Sequence, residues 1–222
     1  MSRAVVTANS ILRSLQIKRS GGDTSSRDTG MSIPDTANSD IKRDVETRLS
    51  ELLTRVIDWL KFAEAKNTGS VGLSSTGLGV IVTFLVAGPP IPPLAGVGLG
   101  IGAVALMLSL MLTVASFLPS TNLEKHLIGE RERPSPRDNL LFYGHLARYE
   151  PRALVEAIAD MYFDHGIETY APSKLAVDLA AQIVTNSRIT VRKLALFRYS
   201  LLLFGFGVLV ASAAMALAAF LV

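Results

Sequence analysis

From Ile41 onward, apolar residues recur at Val45, Leu49, Leu52, Val56, Leu60 and Ala63. Steps of four, four and three hold these positions on one helix face and recur every 11 residues. Lys42, Arg43, Glu46, Arg48, Glu51 and Arg55 take the opposite face. The pattern predicts an amphipathic helix over 41–69, with Asn38, Ser39 or Asp40 able to cap its start. Its apolar stripe has two uses: packing on the chain's own extramembrane domain, or oligomerisation of a helix that leads into a membrane.

The amphipathic pattern then gives way to a continuous apolar one. No charged residue falls between Lys66 and Glu124, and none follows Arg198. A helix crosses the ~30 Å hydrocarbon core with about 20 apolar residues. Residues 70–87, 94–118 and 200–222 meet that requirement. Between the first two lies Gly88-Pro89-Pro90-Ile91-Pro92-Pro93, a run no helix can continue through, so 70–118 is predicted to be a two-span hairpin.

The remaining pieces are short. Residues 19–40 are rich in Ser, Thr, Asp and Gly and offer almost nothing to bury, so 1–40 is expected to be a disordered leader. Pro134 and Pro136 fence off a loop, after which Asp138 is expected to cap a short helix over 139–147. Pro151 suits the first turn of a helix reaching about His165, with Gly166 as its stop. Pro172 opens a third helix with no breaker through Arg198, expected to run directly into the last span. The fold class expected is an all-α integral membrane protein. It comprises a transmembrane helical hairpin, a C-terminal third span, and a small helical cytoplasmic region over 119–199.

Charge orients this arrangement. Eleven Lys and Arg lie in 1–69 and eleven in 119–199, whereas the hairpin turn has none and none follows the third span. The positive-inside rule places both basic regions, and the N-terminus, in the cytoplasm, with the C-terminus outside. Residues 1–30 lack the apolar core of a signal peptide. Charged residues are only 18% of the chain and are absent from 67–123 and 199–222, which excludes an ordinary soluble protein, and the lack of Cys excludes a disulfide scaffold. A net charge of +3 without a basic cluster or binding motif gives no reason to expect nucleic acid as a partner.

Catalytic chemistry finds little support. His126, His145 and His165 lack metal-ligand spacing, and Asp160 with Asp164 is explained by a solvated helix face. No nucleophile motif, phosphate-binding loop or zinc-protease motif is present, so neither an enzyme nor a resident cofactor or metal is expected. Gly96, Gly98, Gly100 and Gly102 lie inside an uncharged span. They pair as small-xxx-small motifs that let membrane helices approach closely, which also makes a homo-oligomer an expectation.

The last cytoplasmic helix carries a polar stripe, Gln182, Asn186, Thr190 and Lys193, flanked by Arg188 and Arg192. Amides and cations together suit a small anionic ligand with a polar ring. Cations at this position also serve as headgroup anchors for a span. The residue types leave both uses open.

Three stretches in order carry a family resemblance: Phe62-Ala63-Glu64-Ala65-Lys66 before the hairpin, Asn139-Leu140-Leu141-Phe142-Tyr143-Gly144 after it, and Gln182, Ser187-Arg188 and Arg192-Lys193 leading into the last span. Over residues 40–222 the chain resembles the transmembrane effectors of Pycsar, the bacterial pyrimidine-cyclase antiphage system. The resemblance implies that a partner cyclase makes cyclic UMP or cyclic CMP and that the effector answers by impairing the inner membrane, aborting infection. The expected ligand-binding residues are then Asn139, Tyr143, Asn186, Arg188, Arg192 and Lys193. The competing expectation is a ligand-independent structural or scaffolding protein of the inner membrane.

Overall fold

The computed structural model describes residues 35–118, 133–163 and 170–221. The chain divides into two units, 1–37 and 38–222, and the second holds almost everything described. The expected leader and the expected helix stop at Gly166 lie largely or wholly outside the described residues. Within these residues the structure is helical, without a strand.

Helix α1 runs from Asp35 to Ala87 without interruption, 53 residues or about 80 Å. It therefore contains both the predicted amphipathic helix and the first predicted span. It also starts earlier than expected, so Asn38, Ser39 and Asp40 lie inside it rather than at its cap. Its buried face comprises Val45, Leu49, Leu52, Val56, Ala63, Asn67, Ser70, Ser74 and Ile81. Leu60 is only half-buried. The inward positions thus pass through Leu49, Val56, Ala63 and Ser70, a seven-residue recurrence in place of the eleven read from the sequence.

The proline turn behaves as its composition dictates. Gly88 N–H donates to the Phe84 carbonyl at 3.0 Å, closing the end of α1. A Cβ at Gly88 would lie only 2.2 Å from that oxygen, so a side chain here would push the turn open. Helix α2 spans Pro93–Ala115, with proline in its first turn, where a missing N–H costs nothing.

Outside the apolar bundle, α3 covers Tyr143–Leu146 and α4 covers Pro151–Tyr162. The helix expected over 139–147 is therefore reduced to one turn, and Asp138 does not cap it. Asp138 instead accepts from Ser135 N–H at 3.0 Å and from Arg148 at 3.0 Å, closing a turn that a helix start would have broken. Asn139 Oδ1 accepts Leu141 N–H at 2.9 Å, a side-chain turn of the kind that competes with helix.

Helix α5 runs from Lys174 to Leu221, 48 residues or about 72 Å. Ser173 caps it by accepting Ala176 N–H at 3.0 Å, and its own hydroxyl donates to Glu46. Pairings of Glu46 with Ser173, Glu64 with Lys193 and Ser70 with Ser200 show α1 and α5 running in parallel along most of their lengths. Their outer halves enclose a core with α3 and α4 that includes Leu49, Val56, Leu146, Leu154, Ile158 and Ile183. Their apolar halves pack with α2 around Ile81, Leu99, Leu106 and Ala211. Three helices, α1, α2 and α5, are long and apolar enough to cross a membrane.

Candidate functional site

Lys66 and Arg198 are the last charged residues on α1 and α5, so the boundary between the two cores lies beside them. One turn outside it, Lys193 Nζ donates to Glu64 Oε1 at 3.1 Å. The Lys193 side chain is 10% exposed and that of Glu64 50%, so the cation is much the drier partner. Lys193 also lies 5.2 Å from the centre of the Phe117 ring, which offers the cation a second, weaker attraction. Beside it, Asn67 Nδ2 donates to the Lys193 carbonyl at 3.3 Å, while the buried Asn67 Oδ1 accepts from no described residue. Arg192 reaches across to α2 and donates to the carbonyls of Leu118 at 2.7 Å and Ala115 at 3.3 Å. The Ala115 carbonyl is at the negative end of the α2 dipole, which a guanidinium complements, and Leu118 lies in the turn that follows.

Immediately inside this collar lies a hydroxyl hub shared by three helices. Ser200 Oγ is 3.0 Å from Ser70, 2.9 Å from Ser109 and 2.6 Å from Thr113. Ser74 joins through Ser109 at 2.9 Å. Each of the five side chains is at most 4% exposed. With no water to satisfy them in an apolar bundle, the hydroxyls must find one another, which sets the register of α1, α2 and α5.

Farther out, aromatic rings gather on Tyr143. Trp59 of α1 lies 5.3 Å from it between centroids and Phe142 4.5 Å, with Phe62 packed edge-on against Trp59 at 5.9 Å. Burial raises the Tyr143 phenol above its ordinary pKa, keeping it a neutral donor. Trp59, Phe62 and Phe142 remain 37%, 46% and 40% exposed, a concentration of half-open rings outside the apolar bundle. Lys66 Nζ lies 4.4 Å from the Phe62 ring centre.

The expected ligand residues are thus distributed between two places. Lys193 and Arg192 form the collar, whereas Tyr143 lies in the ring cluster and Asn139 is joined to it through His145. Asn139 N–H donates to His145 Nδ1 at 2.8 Å, and the His145 ring stands 5.3 Å from Phe142. Arg188 ties the loop after α3 to α5, donating to the Ala147 carbonyl at 3.1 Å, the Tyr149 carbonyl at 2.9 Å and Glu150 at 3.0 Å. Asn186 is half-buried on α5, and its carbonyl accepts the Thr190 hydroxyl. Sequence reasoning did not single out Trp59 or the hydroxyl hub. The available signal for the hub was Ser70 with Ser74 and Ser109 with Thr113, two hydroxyl pairs one turn apart in neighbouring spans.

The four glycines of α2 separate by face. A Cβ on Gly98 would lie 2.4 Å from Ala214 Cβ, and one on Gly102 2.9 Å from the Gly207 carbonyl oxygen and 3.1 Å from Ala211 Cβ. These two permit the close approach of α2 and α5. Gly96 would meet only Ile91, at 3.7 Å, and Gly100 nothing within 4 Å. Among the described residues, no group of three or more His, Cys, Asp or Glu could hold a metal ion.

Two unbroken helices carrying a helical extramembrane domain into an apolar three-helix bundle define a membrane protein whose two parts are mechanically continuous. Residues 48–220 match the family described as the Pycsar effector protein domain. Pycsar effector protein RsPycTM of a Rhizobium species is 30% identical over 158 residues, 70% of this chain and 87% of its own length. No solved structure matches the chain. The chain belongs to the Pycsar effector family, which supports the role of an antiphage-defence effector.

Proposed function

We propose that this effector responds to cyclic UMP or cyclic CMP by impairing the bacterial inner membrane, aborting infection. In this reading the N-terminus and the helical domain face the cytoplasm, where a partner cyclase releases its product, and the C-terminus faces the periplasm. The carrying observation is the continuity of α5. Its outer half lies in the helical domain core with Ile183, and its inner half is seated against α2 through Gly207, Ala211 and Ala214. A ligand that prefers one position of the outer half therefore acts on the bundle without an intervening joint.

The ring cluster and the collar supply complementary chemistry for a cyclic mononucleotide. Tyr143, Trp59 and Phe62 offer aromatic faces for the base, with Asn139 and Asn186 as amide readers. Lys193 and Arg192 carry the positive charge that a cyclic phosphate needs, with Arg188 bracing the loop that holds Tyr143. Assembly of several copies accounts for a breach that one three-helix bundle does not provide. The test is dye release from liposomes carrying the purified protein, with cyclic UMP, cyclic CMP and cyclic AMP compared. Release on a cyclic pyrimidine mononucleotide supports the reading; equal tightness with all three nucleotides refutes it.

A further inference from the structure

We infer that Glu64 is a built-in competitor for the anion site at Lys193, and that its ion pair with Lys193 is the latch holding the effector silent. The inference rests on the reading that a cyclic phosphate is the activating ligand, and it specifies how that site is regulated.

Three observations converge on the pair. First, the exposures are unequal: Lys193 is 10% exposed and Glu64 50%. A nearly dehydrated ammonium needs an anion beside it, because an unpaired buried charge is strongly unfavourable. A half-exposed carboxylate, by contrast, regains water readily when it leaves. The cation is therefore fixed and its partner exchangeable. Second, Glu64 is the one anion paired with Lys193 among the described residues. The other contacts of Lys193 are the Phe117 ring and, through its backbone, Asn67. Third, the pair joins α1 to α5 at the boundary of the bundle, immediately outside the Ser200 hub.

Exchange of the anion has a mechanical result. Glu64 belongs to α1, so its bond to Lys193 ties two helices. A phosphate at Lys193 satisfies the same charge but belongs to neither helix. Replacing one by the other leaves the cation paired while the tie is lost. The Arg192 bonds from α5 to the end of α2 are untouched, so the freedom gained is specifically that of α1 against α5. Two joints between α1 and α5 then remain nearby: the single 3.3 Å bond from the Asn67 amide to the Lys193 carbonyl, and, inside the boundary, Ser70 with Ser200, hydroxyls that can donate or accept and can re-pair after a small movement. Because the phosphate and Glu64, both anions, compete for the single charge of Lys193, the ligand binds the released state in preference to the latched one, the unequal affinity that a switch requires.

The experiment compares the parent, Glu64→Gln and Lys193→Gln as full-length proteins in dye-loaded liposomes, with and without cyclic UMP or cyclic CMP. Insertion is checked by protease protection and folding by far-ultraviolet circular dichroism. Glu64→Gln removes the competitor and keeps the cation. It is expected to leak without nucleotide and to bind the active nucleotide about tenfold more tightly, about 1.4 kcal/mol. Lys193→Gln is expected to leak without nucleotide and to gain nothing when nucleotide is added. The exchange variant, Glu64→Lys with Lys193→Glu, restores the tie and is expected to be silent with or without nucleotide. A Glu64→Gln protein as tight as the parent, with the parent's nucleotide dependence, overturns the latch. If the parent ignores every cyclic mononucleotide while Glu64→Gln leaks, the latch stands and the ligand reading falls. Should Lys193→Gln fail to fold, Glu64→Gln decides alone, because its exposed amide replaces a carboxylate of nearly the same shape.

Discussion

Replacing Gly98 by Ala adds one methyl at the seam between α2 and α5, with large consequences for its size. The new carbon would stand 2.4 Å from Ala214 Cβ. Carbon atoms in contact settle at about 3.5–4.0 Å, so the helices must part by roughly 1 Å or more. Neither methyl has a rotamer through which to escape. Each atom pair along the seam is worth about 0.15 kcal/mol and loses a quarter to a half of that across a gap of 0.5–1 Å. Lost contacts and strain together bring the usual cost of overpacking, about 1–3 kcal/mol. The gain in helix propensity on replacing glycine offsets about 0.5–1 kcal/mol. Gly98→Ala should therefore destabilise by about 1–2 kcal/mol. Gly100→Ala provides the matched comparison: the same helix, the same added methyl, and nothing within 4 Å of it. It should be neutral or stabilising by up to about 1 kcal/mol. Unfolding in mixed micelles by dodecyl sulfate, followed by circular dichroism, measures the difference. Equal midpoints for the two variants would show that α2 and α5 do not meet through Gly98.

Ser200→Ala removes three hydroxyl contacts from the hub, and Ser74→Ala removes one. At about 0.6 kcal/mol for an interhelical hydrogen bond in a membrane, the first should cost about 1–2 kcal/mol and the second about 0.6 in the same assay; equal costs would place the centre of the network elsewhere. A reporter active only in the periplasm, fused after Val222, should be active, while activity of a cytoplasmic reporter there would invert the proposed topology.

The helices of the bundle were legible because lipid demands a long, uncharged and unbroken run, and the chain supplies three with a proline turn between two of them. Their inward faces were harder to read. Glycine at 96, 98, 100 and 102 signals close packing but not which pair is used; the rotation of α2 is set by Ala211 and Ala214 on α5, more than a hundred residues away. The seven-residue recurrence of α1 was obscured because Leu60 is as apolar as its neighbours, yet only half-buried. Side-chain roles were least legible where the partner is backbone. Arg188 and Arg192 look alike as cations, but each is aimed at carbonyls whose positions depend on where a loop or a helix ends. Asp138 resembled a helix cap until Arg148 and the Ser135 amide claimed its oxygens. Trp59 gave no periodic signal, since its importance comes from meeting Tyr143 on another element.

The unbroken course of α5 also determines what kind of motion it can carry. A helix with every internal hydrogen bond in place resists twisting, so it acts as an axle about 72 Å long. Turning it by about 20° displaces a methyl group on its surface by about 1 Å. That is comparable to the whole clearance at the seam, where a single added carbon on Gly98 or Gly102 already has no room. The seam therefore responds to torque with almost no dead travel, whereas hydroxyls around Ser200 can trade partners as the axle turns. Turning α5 by that amount would therefore be felt at its contact with α2.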